Sequence, residues 1–378
     1  MQFYRKISRN FIGSLTNGSL RFLTSAPGEN PREVQNMAQL EDDLFGREVP
    51  QNWEEKTPKR WRHDRQHRQP KPAQQTPKNE IRIDKKTNLA FRELPHHDPI
   101  IRDTMMLLRS GKKQKKESFL LVEGRRLIEE ALRANVKMHK LFFSRFDDLE
   151  ELQETLKEIP KAELYRIKYR DLSLWSQLTT SPGLLGIFER PQNIVSRASN
   201  ILPISVICDN IREPNNLGSV IRICAALPCQ EVLVMKGCTD PFDSKSLRGG
   251  AGAQFQISVR YPINWEDVPE ILPQENSVFV SESKLLDVTA QPPIDVAEFS
   301  LPNPGEEQHF TVVIGGETHG VSQEAYKLMT LYRNSACLHI PLSHCVESLN
   351  TASALAVILF ELRRKFQDQR KLMNIIEN

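Results

Sequence analysis

Long apolar runs and paired cysteine motifs are missing from this chain of 378 residues. No stretch approaches the roughly eighteen consecutive apolar residues that a membrane-spanning helix needs, so the sequence offers no candidate span. The absence of a CxxC pair argues against a zinc ribbon and against a thioredoxin-type site. Free thiols in a reducing compartment are the simplest interpretation. All six cysteines lie beyond residue 200: Cys208, Cys224, Cys229, Cys238, Cys337 and Cys345.

Two nucleotide-binding signatures are also missing. A phosphate-binding loop requires Gly-Lys followed by Ser or Thr, and this sequence contains none. The dinucleotide fingerprint requires G-x-G-x-x-G, and neither glycine-rich segment, residues 248–253 or 313–322, has that spacing. The glycines therefore indicate close backbone contacts in loops, but they do not support ATP or NAD as the ligand.

Acidic residues are missing from positions 1–28, which carry Arg5, Lys6, Arg9 and Arg21 among Ser, Thr and apolar residues. This composition is typical of a mitochondrial presequence. The alternative is an ordinary disordered tail. A secretory signal is disfavoured because no long apolar run precedes a small-residue site.

Residues 29–97 are poor in aliphatic side chains and rich in Pro, Gln, Asn and charge, which predicts a disordered basic linker. Six basic residues cluster there around Trp61, a composition that can grip phosphates beside a stacking ring. A solvated linker without a ligand is the equal alternative. The cluster consists of Lys59, Arg60, Arg62, Arg65, Arg68 and Lys71.

Across all 378 residues, 39% are hydrophobic, 26% are charged and the net charge is only +3, so much of the chain is expected to fold. Residues 98–190 are predicted to form a small α/β RNA-binding domain. The predicted helices are Ile100–Leu108, Arg125–Ala134 and Leu149–Glu158, and the predicted strands are Phe119–Gly124, Lys140–Phe143, Leu164–Ile167 and a fourth near Phe188. A basic loop suited to RNA backbone contact contains Arg109, Lys112, Lys113, Lys115 and Lys116.

Residues 200–370 alternate again between apolar runs and helical periodicity, which predicts a mainly parallel sheet covered on both faces. The predicted strands are Ile204–Cys208, Glu231–Met235, Gln254–Val259, Val278–Ser281, Thr311–Ile314 and Ala336–Ile340. The predicted helices are Leu217–Ala226, Gln323–Tyr332 and Leu349–Arg364. The polar segment between the two regions is a plausible linker.

Polar loops follow three of these strands. The first contains Asn216, a candidate helix cap, and Arg222, one helical turn beyond Gly218 and suited to binding a phosphate through two parallel hydrogen bonds. The second contains Glu317 among glycines. The third leads into a helix start at Ser348 and Asn350; helix capping alone is the simpler role for such residues. Because the carboxyl ends of parallel strands meet at one edge, we expect the three loops to converge.

The three loops resemble the signature motifs of the SpoU branch of the SPOUT RNA 2′-O-ribose methyltransferases. The matching residues are Pro214, Asn216, Gly218 and Arg222, then Ile314, Gly315, Gly316, Glu317 and Gly320, then Ile340, Pro341, Ser348, Leu349 and Asn350. The segment 245–253 is also similar to the family's. Two positions depart from it: Ala352 and Gly250 stand where the family frequently has serine. The resemblance covers residues 100–370, and residues 109–190 resemble the family's substrate-binding domain, which is ribosomal-protein-like.

The resemblance implies a deep trefoil knot in the C-terminal domain and a homodimer whose subunits share each site. It also implies S-adenosylmethionine as cofactor, held by Ile314, Gly315, Gly316, Gly320, Ile340, Pro341 and Leu349. No metal is implied. His319 and His344 are interpreted as loop residues, because no third ligand is spaced nearby.

The resemblance makes Arg222 the main catalytic candidate, steering an RNA phosphate and promoting deprotonation of the 2′-hydroxyl. Since a guanidinium stays protonated in proteins, phosphate-assisted activation is favoured over direct proton abstraction. The residues expected to position the arginine, the ribose and the cofactor are Asn216, Glu317, Ser348 and Asn350.

With the presequence-like start, the resemblance implies methylation of a guanosine in large-subunit rRNA in the mitochondrial matrix, and contact with the assembling large ribosomal subunit. Two alternatives stay open. One is a mitochondrial tRNA 2′-O-methyltransferase, because the same fold serves both substrates. The other is an RNA-binding assembly factor without activity, which the complete set of motif residues disfavours.

Overall fold

The computed structural model describes residues 80–109, 119–157, 162–192, 194, 196, 198, 200–282, 292–301 and 309–376. All of these belong to one compact unit. The predicted presequence, the basic cluster at residues 59–71 and the loop lysines 112, 113, 115 and 116 lie outside the described residues.

The first part of the described chain forms a six-stranded mixed sheet with the order β1-β2-β5-β4-β6-β3. Its strands are β1 (Ile81–Ile83), β2 (Ala90–Glu93), β3 (Phe119–Glu123), β4 (Met138–Phe143), β5 (Glu163–Arg166) and β6 (Leu184–Glu189). The helices are α1 (Pro99–Arg109), α2 (Arg125–Arg133), α3 (Phe146–Lys157) and α4 (Tyr169–Ser173). The predicted helices and strands of this region are all present, with ends that differ by a few residues.

Residues 80–97 correct the expectation of disorder up to residue 97. The edge strands β1 and β2 pair in antiparallel register, and the Asp84 carboxylate closes the turn by accepting the Thr87 N–H at 2.8 Å. Phe91 is buried against the core of the sheet. The strands are short and carry exposed Arg82, so their sequence lacks the apolar run from which a strand is predicted.

The second sheet has seven strands in the order β11-β13-β10-β12-β7-β8-β9, and every neighbouring pair is parallel. Its strands are β7 (Leu202–Asp209), β8 (Cys229–Met235), β9 (Ser258–Ile263), β10 (Asn276–Ser281), β11 (Ile294–Asp295), β12 (His309–Gly315) and β13 (Ala336–His339). The helices are α5 (Pro214–Ala226), α6 (Ser244–Gly249), α7 (Val268–Ile271), α8 (Gln323–Leu331) and α9 (Thr351–Ile376). The predicted parallel sheet is confirmed.

The strand predicted at residues 254–259 is misplaced. Residues Ala253–Phe255 form a 3-10 turn, and the strand starts only at Ser258. Gly252, which precedes the turn, has a φ of 84°. Phe255 and Ile257 alternate as they would in a strand, but they are buried because the turn packs into the core. A period of two therefore arises here without an extended backbone.

Both faces of the parallel sheet are covered, because alternate residues of its strands point to opposite sides. On β7, Val206 packs with α5 and α9, whereas Ile207 packs with α7 and α8. The buried stripe of α9 includes Leu355, Ile358 and Leu362 at helical spacing. Full burial of each such side chain contributes roughly 1.5–3 kcal/mol, which fixes the helix across the sheet.

No helix in the described residues combines the length and the apolar character needed to cross a bilayer. All six cysteines are free thiols, and Cys345 is the exposed one. The deep knot stays a prediction from the family resemblance.

Candidate active site

The three polar loops identified in the sequence leave the same edge of the parallel sheet. Strand β7 ends at Asp209, which lies in register with Gly315, the last residue of its neighbour β12. Strands β10 and β13 end beside them, with Ser281 in register with Leu338. The loops therefore start at one edge of the sheet, as expected for the carboxyl ends of parallel strands.

One residue from each loop meets in a hydrogen-bonded triad of Asn216, Glu317 and Asn350. The Asn216 amide nitrogen donates to Glu317 Oε1 at 3.1 Å. The Asn350 amide nitrogen donates to the same oxygen at 2.6 Å and also lies 3.0 Å from Asn216 Oδ1. All of these groups reach the surface at least in part. The prediction that the three loops converge is confirmed by these contacts.

Asn216 is not the cap of helix α5, which corrects the prediction. The helix starts at Pro214, a residue suited to the first turn because its missing N–H has no helical partner there. The cap is Glu213, whose carboxylate accepts the side-chain amide of Asn215 at 3.1 Å and faces its N–H. Asn216 consequently keeps its amide group free for the triad.

The long C-terminal helix starts two residues later than predicted. Asn350 Oδ1 accepts the Ala352 N–H at 3.1 Å, so the cap is Asn350 rather than Ser348. The same side chain therefore uses its oxygen to cap α9 and its nitrogen to hold the triad. Ser348 is exposed, and its side chain makes no hydrogen bond within the described part of the chain. Its catalytic role stays a prediction.

The glycine loop after β12 is closed by backbone contacts. A Cβ on Gly315 would lie 2.6 Å from the Gly320 oxygen, and one on Gly316 would lie 3.0 Å from the carbonyl carbon of Asn210 and closer still to its oxygen. Gly320 has a φ of 62°, in the left-handed region that favours glycine. These glycines let two chain segments touch, so they determine the shape of the loop in addition to leaving its backbone accessible to a ligand.

Two polar residues that the sequence-based predictions missed hold this loop. Asp209 Oδ2 accepts the Ser322 N–H at 2.6 Å, and burial raises the pKa of the Asp209 carboxyl. Thr351 is buried, and its hydroxyl donates to the Gly315 carbonyl at 3.2 Å. Their positions in the sequence could have indicated this role, because each is a polar residue at the end of a strand or in the first turn of a helix.

The residues predicted to bind a cofactor lie at the end of β12, in the glycine loop, just after β13 and just before α9. Ile314 is buried, Ile340 and Leu349 are half-buried, and Pro341 is exposed. A Cβ built on Gly320 would meet no atom within 4 Å, so the loop is open at that point. Partly accessible apolar side chains and an open glycine loop are suited to the adenosine and methionine parts of S-adenosylmethionine. The cofactor-binding roles themselves stay predictions.

Arg222 stands apart from the triad. It is exposed on α5, and its side chain makes no hydrogen bond or ion pair within the described residues. It follows Asn216 by six positions, which places it about 120° away around the helix.

Arg109 is the last residue of α1. Among the described residues, no group of three His, Cys, Asp or Glu side chains is placed to hold a metal ion, and His319 and His344 are exposed.

Two family descriptions match separate parts of the chain. The SpoU rRNA Methylase family matches residues 203–360, which contain the parallel sheet and the triad. The MRM3-like substrate binding domain matches residues 99–186, which contain most of the mixed sheet.

Individual relatives agree with these matches. The chain is 31% identical to "rRNA methyltransferase 3, mitochondrial" of Mus musculus over 341 residues, 79% of this chain and 80% of the relative. It is 24% identical over 256 residues to "23S rRNA (guanosine(2553)-2'-O)-methyltransferase RlmP" of Bacillus subtilis, 68% of this chain and 93% of the relative.

A solved structure shares the fold. The AdoMet-bound rRNA methyltransferase of Sinorhizobium meliloti superimposes with a TM-score of 0.58, at 22% identity, over 72% of this chain and 97% of that chain. Since the mouse relative exceeds 30% identity across most of its length, and the family motifs meet at one edge of the sheet, the chain belongs to the SpoU rRNA methylase family.

Proposed function

We propose that this protein transfers a methyl group from S-adenosylmethionine to the ribose 2′-hydroxyl of a nucleotide in mitochondrial large-subunit rRNA. Family membership makes it an RNA methyltransferase. The mitochondrial rRNA assignment draws on the names of the relatives, and guanosine is the proposed nucleotide because the Bacillus relative is named for it. The proposed compartment is the matrix, where the proposed partner is the assembling large ribosomal subunit.

The observation that carries the proposal is the Asn216–Glu317–Asn350 triad. Residues 101 positions apart along the chain meet at the carboxyl edge of the sheet, where α/β proteins bind ligands. A surface on which three motif residues are tied together is ordered before any ligand arrives. Such preorganisation supports catalysis by alignment.

The protein must align the ribose 2′-hydroxyl with the methyl group and help to remove the proton of that hydroxyl. When bound, S-adenosylmethionine supplies a methyl group already activated by its sulfonium. The triad presents a carboxylate and two amides that can orient a ribose hydroxyl in line with that methyl group. Glu317 accepts hydrogen bonds from both amides, which leaves its second carboxylate oxygen available for a substrate hydroxyl.

Arg222 completes the proposal. An exposed guanidinium that contacts no partner among the described residues is suited to a phosphate of the substrate, so Arg222 is assigned to steering the RNA and assisting loss of the 2′-proton. Because Arg222 lies away from the triad of its own subunit, we assign it to the site of a second subunit in a homodimer. Ser348 is assigned to the same site. We also assign a trefoil knot to the C-terminal domain, in which the backbone of the knot holds the cofactor.

A tRNA substrate and a binding factor without activity are the competing functions. The relatives named for rRNA favour the ribosomal substrate. The intact triad favours an enzyme over a binding factor, because capping α9 requires only Asn350, and the triad adds an accessible carboxylate at the edge of the sheet.

The test is mapping of 2′-O-methyl groups across mitochondrial rRNA and tRNA after depletion of the protein. Rescue with wild type, and separately with Arg222→Ala, distinguishes the functions. Loss of one rRNA methyl that only wild type restores is the expected result. Loss of a methyl group from a tRNA instead would show that tRNA is the substrate. An unchanged methylation map would refute the proposed enzymatic activity.

A further inference from the structure

Helix α6 is fixed directly beside the helix that carries the first triad residue. A Cβ on Gly218 would lie 2.6 Å from the Gly250 backbone nitrogen, and a Cβ on Gly249 would lie 2.8 Å from the Asn215 carbonyl oxygen. These two glycine contacts leave no room for a side chain between α5 and α6. The position of α6 is therefore set by backbone contact with α5, the helix that carries Asn216.

The other side of α6 is anchored in the core of the mixed sheet. Leu247 is fully buried in the hydrophobic cluster that contains Leu127 of α2 and Phe255. The amide of Gln254 donates to the Ser246 carbonyl at 2.8 Å. Helix α6 consequently bridges the region matched as a substrate binding domain and the methyltransferase region.

The outer side of α6 carries two cations, Lys245 and Arg248, both exposed. They are three positions apart, so they are neighbours on the helix surface. Neither side chain has a hydrogen bond or ion pair in the described part of the chain. The nearest carboxylate in sequence, Asp243, is engaged in accepting the backbone N–H of Lys245 at 2.9 Å. The two cations are thus available to an external anion.

We propose that Lys245 and Arg248, together with Arg222, form a cationic ridge that binds RNA phosphates flanking the target nucleotide at the site that Arg222 serves. At about 100° per residue, Arg222 lies about 40° around α5 from Gly218 and about 6 Å along the axis, hence on the side that faces α6. The inference rests on the proposed function and names which part of the substrate this surface holds. Phosphates position an RNA without reading its bases, so the ridge sets the register of the substrate.

The experiment compares wild type with the double variant Lys245→Ala/Arg248→Ala, using an unmethylated transcript of the rRNA segment identified by methylation mapping. We expect the KM for this RNA to rise roughly tenfold, and the slope of log affinity against log salt to fall by about 1–2, because each lost phosphate contact removes 0.7–0.9 of slope. The kcat at saturating RNA and the affinity for S-adenosylmethionine are expected to stay unchanged.

The matched control removes the same charge from the α8 region, with Lys327→Ala/Arg333→Ala, where both residues are exposed. Equal effects of the two double variants would refute the ridge, since net charge alone would then explain them. A charge-conserving swap, Lys245→Arg/Arg248→Lys, is expected to restore most of the affinity. Wild type without methyl transfer would refute the proposed function, whereas an active wild type with an unchanged KM and salt slope in the alanine variant would refute the ridge alone.

Discussion

The amide nitrogen of Asn350 lies 2.6 Å from the carboxylate of Glu317, although 33 residues separate them along the chain. The oxygen of the same amide caps α9. One side chain therefore couples the start of the longest described helix to the glycine loop after β12. A shift of the first turn of α9 would therefore move the amide that holds the carboxylate we assign to the ribose.

Glu317→Gln is expected to lower kcat about a hundredfold, because a misplacement of about 1 Å in an aligned site has that cost. Both amides donate to Oε1, and the glutamine oxygen can keep these contacts, so the new NH2 group stands where the second carboxylate oxygen is assigned to the substrate hydroxyl. Single-turnover methyl transfer with labelled S-adenosylmethionine measures the effect, and calorimetry follows cofactor binding. Glu347→Gln, in the exposed loop before α9, is the control. Turnover equal to that of wild type would remove Glu317 from the mechanism.

Gly218→Ala is expected to destabilise the protein by about 1–3 kcal/mol. The sign is informative, because alanine in a helix interior is normally better than glycine by up to about 1 kcal/mol. Here the added Cβ would lie 2.6 Å from the backbone of Gly250 and force α6 away from α5. Urea unfolding measures the change. Ser219→Ala, on the neighbouring half-buried position, is expected to have little effect. A stabilised Gly218→Ala would show that α5 and α6 separate freely.

Convergence of the three loops was predictable from the sequence because it depends on topology. Once β7, β12 and β13 are identified as parallel strands, their carboxyl ends must share an edge, and the polar residues that follow must lie close together. The hydrogen bonds among Asn216, Glu317 and Asn350 are the consequence.

Capping and tertiary anchoring were not predictable in the same way. Asn216 and Ser348 each have the chemistry of a cap, but Pro214 starts α5 earlier and Asn350 starts α9 later. Which polar residue becomes the cap depends on where the preceding loop leaves the sheet. Burial of Leu247 of α6 in the core of the other sheet likewise depends on long-range packing, which no local pattern reports.

A buried polar network crosses the parallel sheet at the end opposite the triad. His309 Nδ1 lies 3.1 Å from Asn276 Oδ1, and its Nε2 lies 3.4 Å from Ser205 Oγ. The Ser205 hydroxyl in turn donates to Glu231 at 3.3 Å, and Glu231 pairs with Arg260 at 2.8 Å. Burial lowers the pKa of His309 to about 4, so the imidazole is neutral in the folded protein at neutral pH.

His309 is expected to make the free energy of unfolding depend on pH in the acidic range. Its pKa is 6.5 in the unfolded chain and about 4 in the fold, so the unfolded state binds more protons between these values. This contribution is fully present above pH 6.5 and is lost as the pH falls toward 4, by about 3 kcal/mol in total. Urea unfolding across this range measures the slope. His309→Gln should flatten it, whereas His344→Gln in the exposed loop should not. Parallel slopes for wild type and His309→Gln would contradict the assignment.

A shared site in a homodimer makes a distinct prediction for mixed subunits. If Arg222 of one subunit serves the triad of its partner, then Arg222→Ala and Glu317→Gln, each strongly impaired alone, form mixed dimers with one complete site and one doubly defective site. Random reassociation in equal amounts should restore about a quarter of wild-type methyl transfer, since half of the symmetric dimers are mixed. Each variant mixed with itself is the control. No recovery, from subunits shown to exchange, would place Arg222 at the site of its own subunit.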